Sequence, residues 1–122
     1  MSEYEKLVER YFDVWNETDP AARRAAIDAL FTEDVTFVDP MAAARGPAEI
    51  DWMIGGVQAQ FPGFVISRIG AVDGHHDQAR FGWEMGLPGQ DAPVAGFDVV
   101  TVAGDGRINQ VLGFLDRVPA QP

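Results

Sequence analysis

The chain has 122 residues, of which 47% are hydrophobic, so it fits one domain with a core that needs no covalent support. Nine Lys and Arg against 19 Asp and Glu give a net charge of −10, which disfavours nucleic acid and anionic membranes as partners. The absence of cysteine excludes disulfides, thiolate metal sites and a cysteine nucleophile. Neither an apolar leader nor a long apolar run is present, so we expect a cytoplasmic protein in which residues 1–122 form a single domain.

Two helices are predicted before the first strand. Residues 3–17 place apolar side chains at helical spacing opposite a charged face, which is typical of an amphipathic helix. Asp19 can cap and Pro20 can open a second, alanine-rich helix over residues 21–30. The first helix carries Tyr11. The aromatic stripe by itself indicates an ordinary core tyrosine whose hydroxyl lies at the edge of the core.

The first predicted strand runs from Phe31 to Asp39. Alternation puts Phe37 and Asp39 on the same face, and Pro40 ends the strand because it has no N–H for a ladder. Asp39 has two interpretations. It can open a turn with Pro40, or it can be a carboxylate in an apolar hollow, where loss of solvent makes it a stronger base.

A loop over residues 41–46 leads to a third helix, which opens at Pro47. Gly55 and Gly56 should end this helix, since each glycine costs roughly 1 kcal/mol against alanine in a helix. Trp52 lies off the apolar stripe of the helix, so we expect it to be half-exposed.

The second half of the chain has the pattern of a four-stranded meander. The predicted strands cover residues 64–72, 78–87, 94–103 and 107–118, joined by glycine-containing turns. Helices on one face of an antiparallel sheet give an α+β fold. We therefore predict a cone, in which a curved antiparallel or mixed sheet wraps around three N-terminal helices and leaves an apolar cavity for a small ligand.

Asp98 lies inside an otherwise apolar strand of this meander. It shares a face with Val100 and Val102, and a buried carboxylate is costly unless it is paired or protonated. One interpretation is an exposed position on an edge strand, or an ion pair with a strand arginine such as Arg80. The other is a buried acid with a function.

His75 and His76 are adjacent in a predicted hairpin turn. Their side chains diverge and no third ligand stands at metal spacing, so we interpret them as solvated turn residues and expect no metal. No glycine-rich phosphate loop opens a helix.

The stretch from Phe31 to Pro40, followed by Arg45-Gly46 before the third helix, resembles the nuclear transport factor 2-like superfamily. Within that superfamily, residues 4–117 resemble the ketosteroid isomerases and the SnoaL-like polyketide cyclases. The resemblance implies the cone-shaped, cystatin-like fold and a cofactor-free reaction beside a carbonyl group.

For the ketosteroid isomerases the resemblance also implies three residue roles. Asp39 falls at the position of the general base, while Tyr11 and Asp98 fall at the positions of two donors to the enolate oxygen, Asp98 as a protonated carboxyl. Because Asp98 would be buried near a second carboxylate, we expect it to hold a proton at neutral pH. The family's further tyrosines, which orient the first, are replaced here by Phe31 and Ile54.

The expected ligand is a small apolar compound that contains a carbonyl group. Trp15 and Trp83 are bulky for a cavity wall, which disfavours a steroid-sized ligand. The predicted substrate-binding residues are Trp15, Phe37, Phe81, Trp83, Met85, Val100, Val111 and Gly113.

Three functions fit these residues. The first is isomerase-like proton transfer next to a carbonyl. The second is a cyclase that closes a ring by an intramolecular aldol reaction, with Asp98 or Asp39 as acid and base. The third is a non-catalytic ligand-binding or dimerisation module, which an occluded cavity with no path to Asp39 would favour.

A homodimer is expected through the convex face of the sheet. Alternation points Arg68, Arg80 and Glu84 away from the pocket, which predicts a mixed polar surface with ion-pair options. The resemblance implies the same arrangement, because related proteins tend to dimerise in this way.

Overall fold

The computed structural model describes residues 2–119. Within this range the helices are α1 (Glu3–Asn16), α2 (Pro20–Leu30) and α3 (Gly46–Gln60), and the strands are β1 (Phe31–Val38), β2 (Ala43–Arg45), β3 (Val65–His75), β4 (Gln78–Gly86), β5 (Val94–Val102) and β6 (Ile108–Arg117). The predicted α+β class is confirmed. No helix in the described part of the chain is long and apolar enough to cross a bilayer.

The strands form one mixed sheet in the order β2-β1-β6-β5-β4-β3. β1 and β6 are parallel, and all other neighbouring strands of this sheet are antiparallel. Register shifts in three of the strand pairs bend the sheet. The helices cover its concave face, with α1 against β3 and α3 against β1, which gives the predicted cone.

Local sequence explains where the first two helices begin. Ser2 and Glu5 form a reciprocal capping box at α1, and the Asp19 carboxylate accepts the Ala22 N–H at 2.8 Å at the start of α2. Both helices start within one residue of the predicted position. Trp52 on α3 is 84% exposed, more than the predicted half, since the buried face of α3 is the opposite one.

The helix α3 continues through Gly55 and Gly56, so the prediction that these glycines end it was wrong. The reason lies in α2, where the buried Arg23 guanidinium faces Gly55: a Cβ there would lie 3.2 Å from its Nη2 atom. Arg23 donates to Asp51 at 2.7 Å and to Gln58 at 2.8 Å. These contacts to two residues of α3 compensate the low helix propensity of the glycines.

The segment predicted as a loop over residues 41–46 contains β2. The Asp39 N–H donates to the Ala42 carbonyl at 3.0 Å, which reverses the chain and lets β2 pair with residues 36–38 of β1. A strand of three residues is too short for alternation to reveal it, so the sequence pattern missed it.

The outer face of the sheet has an apolar centre. The rings of Phe97 and Phe114 lie 5.0 Å apart there, and Phe114 is 45% exposed. The other exposed apolar side chains on this face are Val38, Val65, Ile69 and Leu112. This centre differs from the mixed polar surface that was expected.

Two of the three charged residues predicted on the outer face lie there. Arg80 and Glu84 alternate with the buried side chains of β4. Arg68 does not: it is in register with Trp83, faces the helices, and lies 3.9 Å from the Glu5 carboxylate of α1. Paired residues of neighbouring strands share a face, so the register of β3 places Arg68 on the concave side.

Candidate active site

Asp98 lies in the centre of the sheet, on its concave face. It pairs with Phe81 of β4 on one side and with Gly113 of β6 on the other, and it is only 5% exposed. The edge-strand interpretation is therefore wrong. The ion-pair interpretation is wrong as well, because Arg80 points outward and lies 3.6 Å from Asp73.

The Asp98 carboxylate accepts a hydrogen bond on each oxygen. The Tyr11 hydroxyl donates to Oδ2 at 2.8 Å, and the Trp83 indole N–H donates to Oδ1 at 3.1 Å. Tyr11 is 1% exposed, and its ring packs edge-on against Phe31 and Phe81. Burial and the neighbouring Asp98 raise the pKa of Tyr11 well above its ordinary value, so its hydroxyl keeps its proton.

Burial raises the pKa of Asp98 from its ordinary 3.8 to about 6. The hydrogen bonds from Tyr11 and Trp83 lower it, and the negative charge of Asp39 raises it. The direction agrees with expectation. The two donors limit the shift because they stabilise the charged form, so the pKa of about 6 brings the titration of Asp98 close to neutrality.

Asp39 follows β1 and is half-buried. Its Oδ1 atom accepts the N–H groups of Met41 and Ala42, both at 2.8 Å, so the turn interpretation is correct for this oxygen. The same side chain also approaches Asp98 across Gly113. A Cβ on Gly113 would lie 2.9 Å from Asp98 Oδ1 and 3.0 Å from Asp39 Cβ, so both aspartate side chains flank this glycine and a larger residue would press on both.

The predicted lining residues all lie on the inner side of the cone, but they fill it. Phe37, Phe81, Val100 and Val111 are core residues with at most 3% exposure. A cavity of about 10 Å³ opens at the end of the cone where Trp15, Ile66, Phe61 and Met85 meet. This volume has room for about one water molecule and neither aspartate lines it, so among residues 2–119 it is too small to be the expected apolar ligand cavity.

Two features of the site were missed by sequence reasoning. Trp83 was predicted as a lining residue but not as a hydrogen-bond donor to Asp98. Gly96 was not singled out, yet a Cβ there would lie 2.9 Å from the Trp83 indole and would also clash with the Phe114 carbonyl. The available signal was the glycine itself, since glycine inside a strand often marks a close approach of neighbouring groups.

A cone of this topology is the fold of the nuclear transport factor 2-like and cystatin-like proteins. The chain belongs to the SnoaL-like domain family, whose model matches residues 8–111. No curated protein matches the sequence at a significant level.

Solved structures agree with this assignment. A candidate isomerase of the SnoaL-like family from Agrobacterium tumefaciens is 34% identical, with a TM-score of 0.91 over 95% of this chain and 99% of that one. A candidate ketosteroid isomerase from Kribbella flavida is 20% identical, with a TM-score of 0.71 over 98% and 82%. A candidate polyketide cyclase from Sinorhizobium meliloti is 20% identical, with a TM-score of 0.71 over 95% and 100%. The last two similarities concern the fold alone.

Proposed function

We propose that this protein is a cofactor-free acid–base catalyst of the ketosteroid-isomerase type, which moves a proton next to a carbonyl group of a small apolar substrate. One observation carries the proposal: the buried Tyr11–Asp98 hydrogen bond lies beside a second carboxylate, Asp39, across Gly113. A buried and a half-buried carboxylate close to each other are unusual in a purely structural role, because loss of hydration around an ionised carboxylate costs free energy.

Asp39 is the proposed base. Its Oδ1 atom is held by two backbone N–H groups, which fixes the carboxylate, while Oδ2 has no hydrogen-bond partner among residues 2–119. Oδ2 takes a proton from the carbon beside the carbonyl and returns it to another carbon of the resulting enolate. The carboxylate ends the cycle in the form in which it began.

Tyr11 and Asp98 are proposed to stabilise the enolate oxygen. In the ionised state of Asp98 the Tyr11 proton is used in their mutual hydrogen bond. When Asp98 takes up a proton, its Oδ2–H can donate to the Tyr11 oxygen, which frees the Tyr11 proton to donate to the substrate. A donor in a dry site stabilises a developing oxyanion more than it would in water.

The substitution Asp39→Asn tests the base. The amide keeps the Oδ1 acceptor of the turn and removes the basic oxygen, so we expect a folded protein whose rate falls by about 10²–10⁴-fold. The assays are deuterium exchange beside the carbonyl of small cyclic enones, followed by NMR, and conjugation of a 5-ene-3-ketosteroid, followed by ultraviolet absorbance. Asp13→Asn on the exposed face of α1 is the matched control.

Two results would count against this assignment. A loss of less than tenfold in Asp39→Asn excludes Asp39 as the base. Unfolding of Asp39→Asn, with Asp13→Asn intact, means that the role of Asp39 lies in the turn.

A SnoaL-like cyclase is the second candidate. It is favoured by the pKa of Asp98, which at about 6 suits a group that both donates and accepts a proton near neutrality. In this case Asp98 protonates the carbonyl that is attacked in an intramolecular aldol closure. Asp98→Asn should then abolish ring closure, while the deuterium exchange of the substrate that Asp39 catalyses persists. The filled interior favours the third candidate, a module without catalysis. In that case Asp39→Asn, Asp98→Asn and Asp13→Asn would all behave like the wild type in the exchange and ring-closure assays.

We also propose a homodimer through the outer face of the sheet. Its apolar centre around Phe97 and Phe114 is exposed in a single chain, and charges of both signs, Arg80 and Glu84, lie beside it. Apolar surface of this kind, rimmed by polar groups, is typical of protein interfaces.

A further inference from the structure

Trp83 occupies the space beside Asp98 that a ligand would need. Its indole lies over Gly96, a position that contributes no side chain to the inner surface, and its N–H reaches Asp98 Oδ1 at 3.1 Å. The nearby cavity of about 10 Å³ cannot hold an organic ligand. An occupant of the site must therefore replace a side chain that is already there.

Trp83 is better placed to move than Phe81, its neighbour on the inner surface. Phe81 is 1% exposed, whereas Trp83 is 9% exposed and stands one inward position from Met85, which lines the cavity. At Gly96 the indole meets a residue without a side chain, because a Cβ there would lie 2.9 Å from Trp83 Cζ2. A hydrogen bond to Asp98 is the polar contact that holds the indole in place.

We propose that Trp83 is a plug and a positioning residue, and that a flat, ring-shaped ligand with one hydroxyl or carbonyl oxygen enters the site by displacing its indole from Gly96 and from Asp98. This inference rests on the proposed function, because it concerns how the substrate of that same site is admitted. It adds a ligand class: the compound must resemble an indole in thickness and must bring its own hydrogen-bonding group.

Displacement of the indole also changes the state of Asp98. The titratable groups that face Asp98 are Tyr11 from α1 and Asp39 from the end of β1, while β4 and β6 contribute no charge beside it. Without the indole N–H, burial and the Asp39 charge act against one donor instead of two, so the pKa of Asp98 rises. Entry of the ligand thus favours the protonated Asp98 that frees the Tyr11 hydroxyl.

The indole N–H signals in proton–nitrogen NMR spectra test the hydrogen bond without any variant of Trp83. The chain has three tryptophans, so substitution of Trp15 and Trp52 assigns the Trp83 signal by elimination. We expect the Trp83 signal in the wild type to move with pH around a midpoint of about 6 and to lose this dependence in Asp98→Asn. A Trp83 signal that does not respond to pH or to Asp98→Asn overturns the proposed contact.

Binding of 2-naphthol, a flat phenol, tests the plug. We expect Trp83→Phe to bind it about tenfold more tightly than the wild type, because the ligand no longer breaks a hydrogen bond. In the wild type, saturation with 2-naphthol should shift the Trp83 indole signal. Trp52→Phe, which changes an exposed tryptophan, should match the wild type in both measurements.

The proposal is overturned if Trp83→Phe binds 2-naphthol no more tightly than the wild type, or if the Trp83 signal stays in place at saturation. If Trp83→Phe does not fold, the wild-type indole signal alone decides. Neither measurement uses turnover. Displacement of the indole without proton transfer would refute only the proposed function, and turnover with an immobile indole would refute only this inference.

Discussion

The substitution Asp98→Asn should remove a pH dependence of folding that the wild type shows. An Asn side chain fits the same contacts, since its oxygen can accept the Trp83 N–H and its amide can donate to the Tyr11 oxygen. It cannot ionise. The free energy of unfolding of the wild type should therefore depend on pH in the range where Asp98 titrates, and that of the variant should lack this contribution.

The sign and size follow from the pKa of Asp98. Because the folded pKa of about 6 exceeds the ordinary 3.8, the protonated form stabilises the fold below about pH 4, and this contribution is lost as pH rises to about 6. Each unit of difference between the folded and the unfolded pKa is worth roughly 1.4 kcal/mol, so the full loss of stability is about 3 kcal/mol. About half of it, roughly 1.4 kcal/mol, falls between pH 5 and pH 8.

Urea unfolding at pH 5, 6, 7 and 8 measures this difference well above the sequence pI of about 4.3. The free energy of unfolding of Asp98→Asn, compared with that of the wild type, should rise from pH 5 to about pH 7, and the difference should then stay constant. Asp13→Asn removes the same formal charge from an exposed position on a chain of net charge −10, so it corrects for general repulsion. Parallel curves for the wild type and Asp98→Asn over this range would refute the buried-acid assignment.

Two further predictions concern the helices and the sheet. Gly56→Ala should stabilise the protein by up to about 1 kcal/mol in urea unfolding, because the added Cβ meets open space within a helix. Gly55→Ala should be less stable than Gly56→Ala, because its Cβ presses on the Arg23 guanidinium. Equal stabilities of the two variants would mean that Arg23 shifts freely. The wild type should sediment as a dimer at micromolar concentration and Phe114→Lys as a monomer, whereas a single 13.3 kDa species for the wild type would rule out the proposed dimer.

The sequence by itself determined the elements that depend on neighbours in the chain. The first helix was predicted from the helical spacing of its apolar residues, the start of the second from Asp19 and Pro20, and the meander from alternation and glycine turns. Asp98 was identifiable as unusual because its strand is otherwise apolar. These signals are local, since capping, alternation and turn chemistry act over a few residues.

Tertiary structure alone decided what surrounds Asp98. Its two donors, Tyr11 and Trp83, stand 87 and 15 residues away, and Asp39 lies on the other side of Gly113, close enough for its charge to raise the pKa of Asp98. Their balance sets the pKa near 6 instead of leaving the group fully neutral. Distances of this kind depend on the register of several strands at once, which no short pattern encodes.

The filled interior also depended on packing between distant parts of the chain. Side-chain types predicted which residues face inward, and all of them do. Whether they leave a cavity depends on how closely side chains from distant parts of the chain pack, and differences of one methyl group decide it. At Gly96, for example, an added Cβ would lie only 2.9 Å from the Trp83 indole. The continuation of α3 through its glycines has the same origin, because it depends on Arg23 in another helix. Local sequence thus predicted most of the elements and the inward-facing side chains of the site, whereas long-range packing determined β2, the face of Arg68 and the state of the site.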